Sequence, residues 1–298
     1  MVAPDIEISV ALADALVREQ HPDLADRRIR ILANGWDNTV LRLGDDLILR
    51  LPRREAAAEL IRNEQRWLPR LAPALPAPIP VPVGVGEPSE ALGYPWAWSV
   101  LPWIDGRRVS ELPSAERRHL AEPLAAFHLA LHTVAPADAP HNPVRGVPLS
   151  SRADAFARRL ERGGVPDPDR LRALFDECLT APNWDGPPLW LHGDPHPGNL
   201  LATPDGGLAV IDFGDITAGD PATDLAAAWF VFDAAGRSAY RAALAQRYSP
   251  ADPVWTRAYG WSLNMATSTF ESLDADAWIR RMGEHALTEL LSEAPGAR

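Results

Sequence analysis

The chain has 298 residues, 46% of them hydrophobic and 23% charged, which suits a globular protein of one large or two closely joined domains. Its formal net charge of −11 argues against nonspecific binding to nucleic acid or anionic lipid. No apolar run approaches the roughly 18 residues of a membrane span. Asp5 and Glu7 occupy the region where a signal peptide would be basic, so no signal peptide is predicted. A cytoplasmic protein is therefore expected.

The first third of the chain predicts a small sheet with two helices. Apolar residues at helical spacing predict an amphipathic helix over residues 8–19, and an Ala-, Leu-, Glu- and Arg-rich stretch predicts a second one over residues 56–71. Short apolar runs between turn-forming residues predict strands at 28–32, 39–43, 47–51, 83–86 and 96–101. A proline-rich stretch at 73–82 predicts an extended connector.

Helices predominate after residue 106. Ser114 is predicted to cap a helix that runs to His132. Further helices are predicted at 152–162, 168–179, 221–233, 237–247, 253–270 and 275–291, and short strands at 189–191, 199–202 and 208–211. The pattern predicts an α+β, bilobal fold with an antiparallel-sheet N-terminal lobe (1–101), a hinge (102–106) and a mostly helical C-terminal lobe (107–298).

Two loops beside the short strands of the second lobe contain a spaced set of polar residues. His192, Asp194 and Asn199 follow the spacing His-x-Asp-x-x-x-x-Asn, and an Asp-Phe-Gly sequence begins thirteen residues after Asn199, at Asp212. Phosphoryl transfer needs a carboxylate that orients the attacking hydroxyl, and oxygen ligands that hold Mg²⁺ against the phosphates. An Asp and an Asn on one loop, with an Asp from the next hairpin, can converge on such a point.

In these residues, and in the sequence 219–226 that follows them, the chain resembles the aminoglycoside phosphotransferase family, which is a branch of the protein-kinase-like fold. The resemblance implies transfer of the γ-phosphoryl group of ATP or GTP to a hydroxyl of a small molecule. It implies that Asp194 is the base or hydroxyl-orienting carboxylate and that Asn199 and Asp212 bind Mg²⁺.

Three further residues have supporting roles by the same resemblance. Asp224 braces the catalytic loop, although a helix N-cap is an alternative interpretation. His192 is interpreted as a hydrogen-bonded anchor of the loop. His196 lies where many kinases have a lysine, so it either touches the γ-phosphate or is a turn residue.

The N-terminal part departs from the kinase pattern because it has no Gly-x-Gly-x-x-Gly loop. A turn that includes Asn38 and Thr39 replaces it, and its backbone N–H groups can still bind phosphate. Arg50 lies where the family has its phosphate-pairing lysine; the chain's 29 basic residues are all arginine. Glu64 is the predicted partner of Arg50, with Glu59 as the second choice, and a surface cation is the alternative interpretation.

Two short sequences near Arg50 and the hinge refine the resemblance. The sequence Arg-Leu-Pro-Arg-Arg from Arg50 is more similar to macrolide phosphotransferases than to the aminoglycoside enzymes. Residues of the predicted hinge would meet the purine of the nucleotide: Leu101, Trp103 and Ile104.

The acceptor is expected to bind in the last third of the chain. Acidic side chains there could meet the ammonium groups of an aminoglycoside: Asp233, Glu271, Asp274 and Asp276. Four tryptophans are interpreted mostly as core residues, with an apolar wall for a macrolide as the alternative: Trp229, Trp255, Trp261 and Trp278. His128 and His132, four residues apart, are expected to pack in the helical core.

Three other functions remain open on the sequence. The acceptor could be a metabolite such as choline, homoserine or a modified sugar. A metal-dependent hydrolase could use His192, Asp194 and His196 as ligands, and this would predict bound zinc. A nucleotide-binding protein without catalysis is the third. The sequence does not indicate an oligomeric state.

Overall fold

A computed structural model describes residues 3–271 and 277–293 of the chain. Two compact units are present: Met1–Ala74 with Pro78–Asp105, and Leu75–Ala77 with Gly106–Arg298. The first contains an antiparallel five-stranded sheet and the second is mostly helical, which confirms the predicted α+β class. No helix in the described ranges is both long and apolar enough to cross a membrane.

The first unit is built on one antiparallel sheet in the order β1-β2-β3-β5-β4. Its strands are β1 (Ile29–Asn34), β2 (Asn38–Leu43), β3 (Leu47–Pro52), β4 (Gly84–Gly86) and β5 (Trp98–Pro102). Its helices are α1 (Val10–Gln20) and α2 (Ala58–Leu71). All seven elements lie within about two residues of their predicted bounds, because alternating apolar residues and turn-forming sequences are strong local signals.

The core of this unit lies between the sheet and α1. Leu41 and Leu43 of β2 alternate with less buried neighbours and pack in one apolar cluster with Leu16 and Val17 of α1. Burying this face fixes the register of the strands, since a shift by one residue would expose it. Arg50 is therefore held in the central strand β3, opposite residues of both β2 and β5.

The second unit contains eight α-helices among its described residues. They are α3 (Ala121–Leu131), α4 (Ala153–Arg162), α5 (Pro168–Cys178), α6 (Ala222–Leu225), α7 (Ala227–Val231), α8 (Ala234–Leu244), α9 (Val254–Ser268) and α10 (Ala277–Glu293). Short strands form a β7–β10 ribbon and a β6-β8-β9 sheet: β6 (Arg107–Arg108), β7 (Leu189–Leu191), β8 (Leu200–Ala202), β9 (Leu208–Val210) and β10 (Thr217–Gly219). The loop 192–199 connects β7 to β8, and β9 leads directly to Asp212.

The prediction that Ser114 caps a long helix is wrong. Ser114–Leu120 is a 3₁₀ helix, and α3 begins only at Ala121. Pro123 explains the boundary: proline has no N–H to donate and its ring is tolerated only in the first turn of an α-helix. The chain therefore enters α3 through a tighter 3₁₀ segment.

Two further differences concern the region after the Asp-Phe-Gly sequence. The predicted helix 221–233 is two short helices, α6 and α7, which meet at Ala226. Strand β10 was not predicted because its three residues, Thr-Ala-Gly, contain no alternating apolar pattern. The core interpretation holds for Trp229, Trp255 and Trp261, each at most 5% exposed.

Candidate active site

The loop 192–199 is shaped by a glycine and closed by an asparagine. Gly193 has φ +88°, and a Cβ atom there would lie 2.3 Å from the carbonyl oxygen of Asp215. Only glycine fits this close approach. The Asn199 amide nitrogen donates to the Asp194 carbonyl oxygen at 3.1 Å and to Asp194 Oδ2 at 3.3 Å. The loop thus brings the side chains of Asp194 and Asn199 together.

Asp194 lies between two cationic or cation-forming groups. His196 Nε2 is 3.2 Å from Asp194 Oδ2, and Arg145 Nη2 donates to Asp194 Oδ1 at 3.2 Å. Burial raises the pKa of Asp194, but His196 and then Arg145 outweigh burial and hold that pKa well below its usual range. The carboxylate is therefore ionised at neutral pH and can accept a hydrogen bond from a hydroxyl.

Both histidines of the loop use their ring nitrogens in local hydrogen bonds. His192 Nε2 lies 3.1 Å from the Ile211 carbonyl oxygen, and its Nδ1 accepts from the Asp194 backbone N–H at 3.2 Å. His196 Nδ1 accepts from the Gly198 N–H at 3.1 Å, while Nε2 faces Asp194. Within residues 3–271 and 277–293, no group of three or more His, Cys, Asp or Glu side chains could hold a metal ion. The hydrogen bonds and the ion-pair contact that engage the ring nitrogens of His192 and His196 argue against the zinc-hydrolase alternative.

Asp212 follows β9 in a left-handed backbone conformation, with φ +62°. Such a conformation is uncommon outside glycine and tolerated best by Asp and Asn. The Ile211 N–H donates to the Asn199 carbonyl oxygen at 2.9 Å, so a backbone hydrogen bond joins the segment that contains Asp212 to the loop 192–199. The Asn199 amide nitrogen faces Asp194, so the amide oxygen is the atom of this side chain that is suited to contact a cation. An amide oxygen and a carboxylate suit Mg²⁺, which prefers oxygen ligands and keeps several waters and phosphate oxygens.

A buried carboxylate joins the loop to α6. Asp224 is fully buried and accepts from the backbone N–H groups of His192 and Gly193, both at 2.8 Å. His132 Nε2 lies 3.2 Å from Asp224 Oδ2. Burial raises the pKa of Asp224, but the His132 hydrogen bond and charge outweigh it and lower the pKa to about 2. Asp224 lies inside α6, whose N-cap is Pro221, so it is not an N-cap residue.

Replacing Asp224 with alanine is expected to reduce the free energy of unfolding by about 3–5 kcal/mol, because two buried backbone N–H groups lose their acceptor. Urea unfolding followed by circular dichroism measures this. Asp185→Ala is the matched control; Asp185 is exposed, and its loss should change stability by less than about 0.5 kcal/mol. Equal stabilities for the two variants would contradict the bracing role of Asp224.

The two histidines at the C-terminal end of α3, one in its last turn and one directly after it, lie in the core. His128 and His132 stack with ring centroids 5.3 Å apart. His132 Nδ1 is 2.9 Å from the Tyr248 hydroxyl, and His128 Nδ1 is 2.6 Å from the Tyr240 hydroxyl. Burial lowers the pKa of His128 to about 3, so it is neutral. Their packing in the helical core is confirmed.

In the first unit, Arg50 forms a buried ion pair with Glu64. Arg50 Nη1 is 2.8 Å from Glu64 Oε1, and the two residues are 8% and 2% exposed. Arg50 is therefore not a surface cation, and Glu59 is exposed. With its amide oxygen turned toward Arg50, Asn38 accepts from Arg50 Nη2 at 3.2 Å and Nε at 3.3 Å. The Thr39 hydroxyl donates to Asn34 Oδ1 at 2.9 Å across the turn.

The residues predicted to meet the purine follow one another at the end of β5. Leu101 is 3% exposed, whereas Trp103 is 38% exposed and Ile104 is half-buried. The Trp103 N–H donates to the Asp46 carbonyl oxygen at 2.8 Å, and the Arg42 guanidinium lies 3.9 Å from the Trp103 ring centroid. This end of β5 thus presents an exposed aromatic ring on an ordered backbone.

Two of the acidic residues predicted to bind the acceptor are paired with arginines. Asp233 accepts from Arg118 Nε at 2.8 Å and also caps α8. Glu271 Oε2 and Oε1 accept from Arg159 at 2.9 Å and Arg162 at 3.0 Å. Asp274 and Asp276 lie outside the described residues. The negative charge of Asp233 and of Glu271 is thus already balanced by protein groups.

Trp278 on α10 lies next to the loop. A Cβ atom added to Gly198 would come within 2.8 Å of the Trp278 ring, and the His196 and Trp278 ring centroids are 6.1 Å apart. Of the four tryptophans named from the sequence, this one therefore borders the candidate active site.

Two further charged residues at Asp194 were not predicted from the sequence. Arg145 and Asp215 both lie there, with Arg145 Nε 3.5 Å from Asp215 Oδ2. The position of Asp215, directly after the Asp-Phe-Gly sequence, was an available signal. Arg145 lies in a Pro- and Gly-containing loop without a motif, so only the folded chain identifies it.

Comparisons with known proteins identify the family and the fold of the chain. The model of the APH phosphotransferase enzyme family matches residues 28–261. The GDP complex of wild-type aminoglycoside 2'-phosphotransferase-IIIa superposes with a TM-score of 0.72 at 19% identity, covering 96% of this chain and 100% of that one. The macrolide 2'-phosphotransferase MphH from Brachybacterium faecium gives 0.60 at 21% identity, covering 97% and 99%. The kinase-like fold is thereby confirmed.

A short match with a curated protein also exists. A stretch of 25 residues is 76% identical to part of "Protein ACTIVITY OF BC1 COMPLEX KINASE 3, chloroplastic" from Arabidopsis thaliana. The stretch is 8% of this chain and 4% of the plant protein. It corresponds to a small fraction of either molecule.

Proposed function

Because this chain belongs to the APH phosphotransferase enzyme family, we propose that it transfers the γ-phosphoryl group of ATP or GTP to a hydroxyl of a small molecule. The observation that carries the proposal is the loop that holds an ionised Asp194 against Asn199, fastened to the backbone beside Asp212. These are an orienting carboxylate and two oxygen ligands, which phosphoryl transfer requires.

Each residue of the loop and hairpin has a distinct proposed role. Asp194 accepts the hydrogen bond of the acceptor hydroxyl and aligns its oxygen with the phosphorus atom. Asn199 and Asp212 would hold Mg²⁺, which when bound would neutralise charge on the phosphate oxygens. His192 and Asp224 keep the loop in place, and His196 holds Asp194 Oδ2. Positioning and charge compensation would supply most of the rate acceleration.

Residues of the first unit are proposed to bind the nucleotide. Arg50, oriented by Glu64 and Asn38, would pair with phosphate oxygens in place of a lysine. Thr39 belongs to the turn whose backbone N–H groups would face phosphate. The hinge residues would contact the purine: Leu101, Trp103 and Ile104.

An antibiotic of the aminoglycoside or macrolide type is the proposed acceptor. Solved structures with this fold include a GDP and kanamycin complex and macrolide 2'-phosphotransferases. An aminoglycoside ammonium group at Asp233 or Glu271 would have to displace an arginine, whereas Trp278 offers an aromatic face beside the loop. A metabolite bearing a hydroxyl is the alternative acceptor.

A screen of candidate acceptors tests the proposal. Purified protein with Mg²⁺ and ATP or GTP is incubated with aminoglycosides, macrolides and small alcohol metabolites, and the products are analysed by mass spectrometry. The proposal predicts at least one acceptor whose mass increases by one phosphoryl group, in the parent protein and not in Asp194→Asn. Nucleotide binding without a phosphorylated product across the panel would instead support an inactive nucleotide-binding protein.

Removing the charge of Arg50 is expected to raise the Michaelis constant for the nucleotide by about tenfold, because one ionic contact to phosphate is lost. A single Arg50→Ala change would also leave Glu64 charged and buried, which destabilises the fold. The double variant Arg50→Met/Glu64→Met removes both charges and keeps the volume. Steady-state kinetics at varied nucleotide measures the effect, and an unchanged Michaelis constant in this folded variant would refute the role of Arg50.

A further inference from the structure

We propose that Arg145 is a positioning residue of this active site, which fixes the Asp194 carboxylate in the orientation that accepts the hydroxyl hydrogen bond. The inference rests on the proposed phosphoryl transfer and extends it to a residue outside the motifs. Arg145 lies in the segment 140–146, which we call the arginine strap.

The strap is bound along its length to the chain between Thr217 and Thr223. The Pro140 carbonyl oxygen accepts from the Ala218 N–H and the Thr217 hydroxyl, at 3.2 and 3.1 Å. The Asn142 N–H of the strap donates to the Thr217 hydroxyl oxygen at 2.9 Å. At the other end, the Gly146 N–H donates to the Thr223 hydroxyl at 3.1 Å. These bonds fix the backbone on both sides of Arg145.

Close packing adds to these hydrogen bonds. The Asp220 N–H donates to the Gly146 carbonyl oxygen at 2.9 Å. Gly146 has φ +67°, and a Cβ atom there would lie 2.8 Å from a methyl carbon of Leu191. A Cβ atom on Gly219 would lie 2.1 Å from the Gly146 carbonyl oxygen. The strap therefore packs directly on β7 and β10, the ribbon from which the loop 192–199 begins.

The guanidinium of Arg145 lies between two carboxylates. Nη2 is 3.2 Å from Asp194 Oδ1, and Nε is 3.5 Å from Asp215 Oδ2. Nε is buried and has no partner with hydrogen-bond geometry among the described residues. Asn142 Nδ2 donates to Asp215 Oδ1 at 2.7 Å, so the strap also holds the second carboxylate.

The contacts on Asp194 are divided between its two oxygens. His196 and Asn199 contact Oδ2, and Arg145 contacts Oδ1. A carboxylate held on one oxygen can rotate about its Cβ–Cγ bond, whereas one held on both oxygens cannot. In a chain without lysine, Arg145 supplies this second contact from outside the loop.

Steady-state kinetics of Arg145→Ala, Arg145→Lys and a control, Arg158→Ala, tests the inference. Arg158 is exposed on α4 and should have parent-like kinetics. Misplacement of a reacting group costs about 100-fold in rate, so Arg145→Ala should lower kcat by about that factor while the nucleotide Michaelis constant changes less than about threefold. Arg145→Lys should recover part of kcat, and so should added guanidinium with Arg145→Ala. If Arg145 only stabilised the fold, kcat would not fall selectively relative to the nucleotide Michaelis constant. Neither the lysine variant nor added guanidinium would then restore kcat.

Crystal structures separate this inference from the proposed function. In Arg145→Ala, or in Arg145→Lys if the alanine variant does not fold, Asp194 should leave its contacts with His196 and Asn199 or show two orientations. An unmoved Asp194 carboxylate, or a kcat equal to that of the parent, would overturn the inference. A parent protein that phosphorylates nothing would refute the proposed function, while the crystal structures would still decide whether Arg145 positions Asp194.

Discussion

Asp194→Asn is expected to lower kcat by about 10³–10⁴-fold and to leave the nucleotide dissociation constant within about threefold of the parent value. The carboxylate is ionised between His196 and Arg145 and can accept the hydrogen bond of the acceptor hydroxyl. An amide of the same size keeps one accepting oxygen but loses the negative charge. Nucleotide binding depends on other groups in the proposal and should survive.

Single-turnover measurements with saturating nucleotide, together with calorimetric titration of the nucleotide, separate these two quantities. Asp185→Asn is the control, since Asp185 is an exposed carboxylate. Asp194→Asn should unfold at nearly the parent temperature, because the amide oxygen can keep the hydrogen bond from Arg145 and the backbone carbonyl oxygen keeps the one from Asn199. A kcat within a factor of ten of the parent value would exclude Asp194 as the orienting carboxylate.

Asp212→Asn is expected to weaken nucleotide binding in the presence of Mg²⁺ by about 100-fold. The reason is that Asp212 is the charged one of the two proposed Mg²⁺ ligands, and the variant loses that charge. Asn tolerates the left-handed conformation of this position, φ +62°, about as well as Asp. The backbone should therefore be unchanged, and the effect can be assigned to the carboxylate charge.

Calorimetric titration of the nucleotide with Mg²⁺ and with EDTA measures the effect of Asp212→Asn. In the parent, Mg²⁺ should strengthen binding strongly; in the variant, the two titrations should give similar dissociation constants. Asp205→Asn is a control, since Asp205 lies in the exposed turn between β8 and β9. A variant that keeps the full Mg²⁺ dependence would show that Asp212 does not bind the metal.

The parts of the fold that the sequence predicted well have local causes. The five strands and two helices of the first unit follow from alternating apolar residues and turn-forming sequences. The loop residues Asp194 and Asn199 were predictable because their chemistry depends on spacing within one short segment. Pro123 could have corrected the start of α3, since a proline three residues into a helix marks its first turn.

Glu64, the partner preferred over Glu59 from the sequence, pairs with Arg50 in the structure, and this preference also has a local cause. Ile61, Glu64 and Leu68 of α2 recur at spacings of three and four residues, and all three are buried. Glu64 therefore lies on the apolar face of the helix, and Glu59 does not. A glutamate on such a face needs a cation, which Arg50 supplies.

Arg145 could not have been predicted, because its contacts join distant parts of the chain. It lies 49 residues before Asp194 in the sequence. The strap is held mainly by backbone and hydroxyl hydrogen bonds to β10 and α6, which leave no periodic pattern in the sequence. Strand β10 itself contains no alternating apolar pattern, so its partner segment could not be placed either.

The central claim is that Asn199 and Asp212 share a divalent cation beside Asp194. The most direct measurement is an anomalous difference map from crystals grown with Mn²⁺, as a substitute for Mg²⁺, and a non-hydrolysable ATP analogue. We expect a peak at bonding distance from Asn199 Oδ1 and an Asp212 carboxylate oxygen, with a phosphate oxygen as a further ligand. A cation bound away from both side chains, or coordinated by His192 and His196, would contradict the claim.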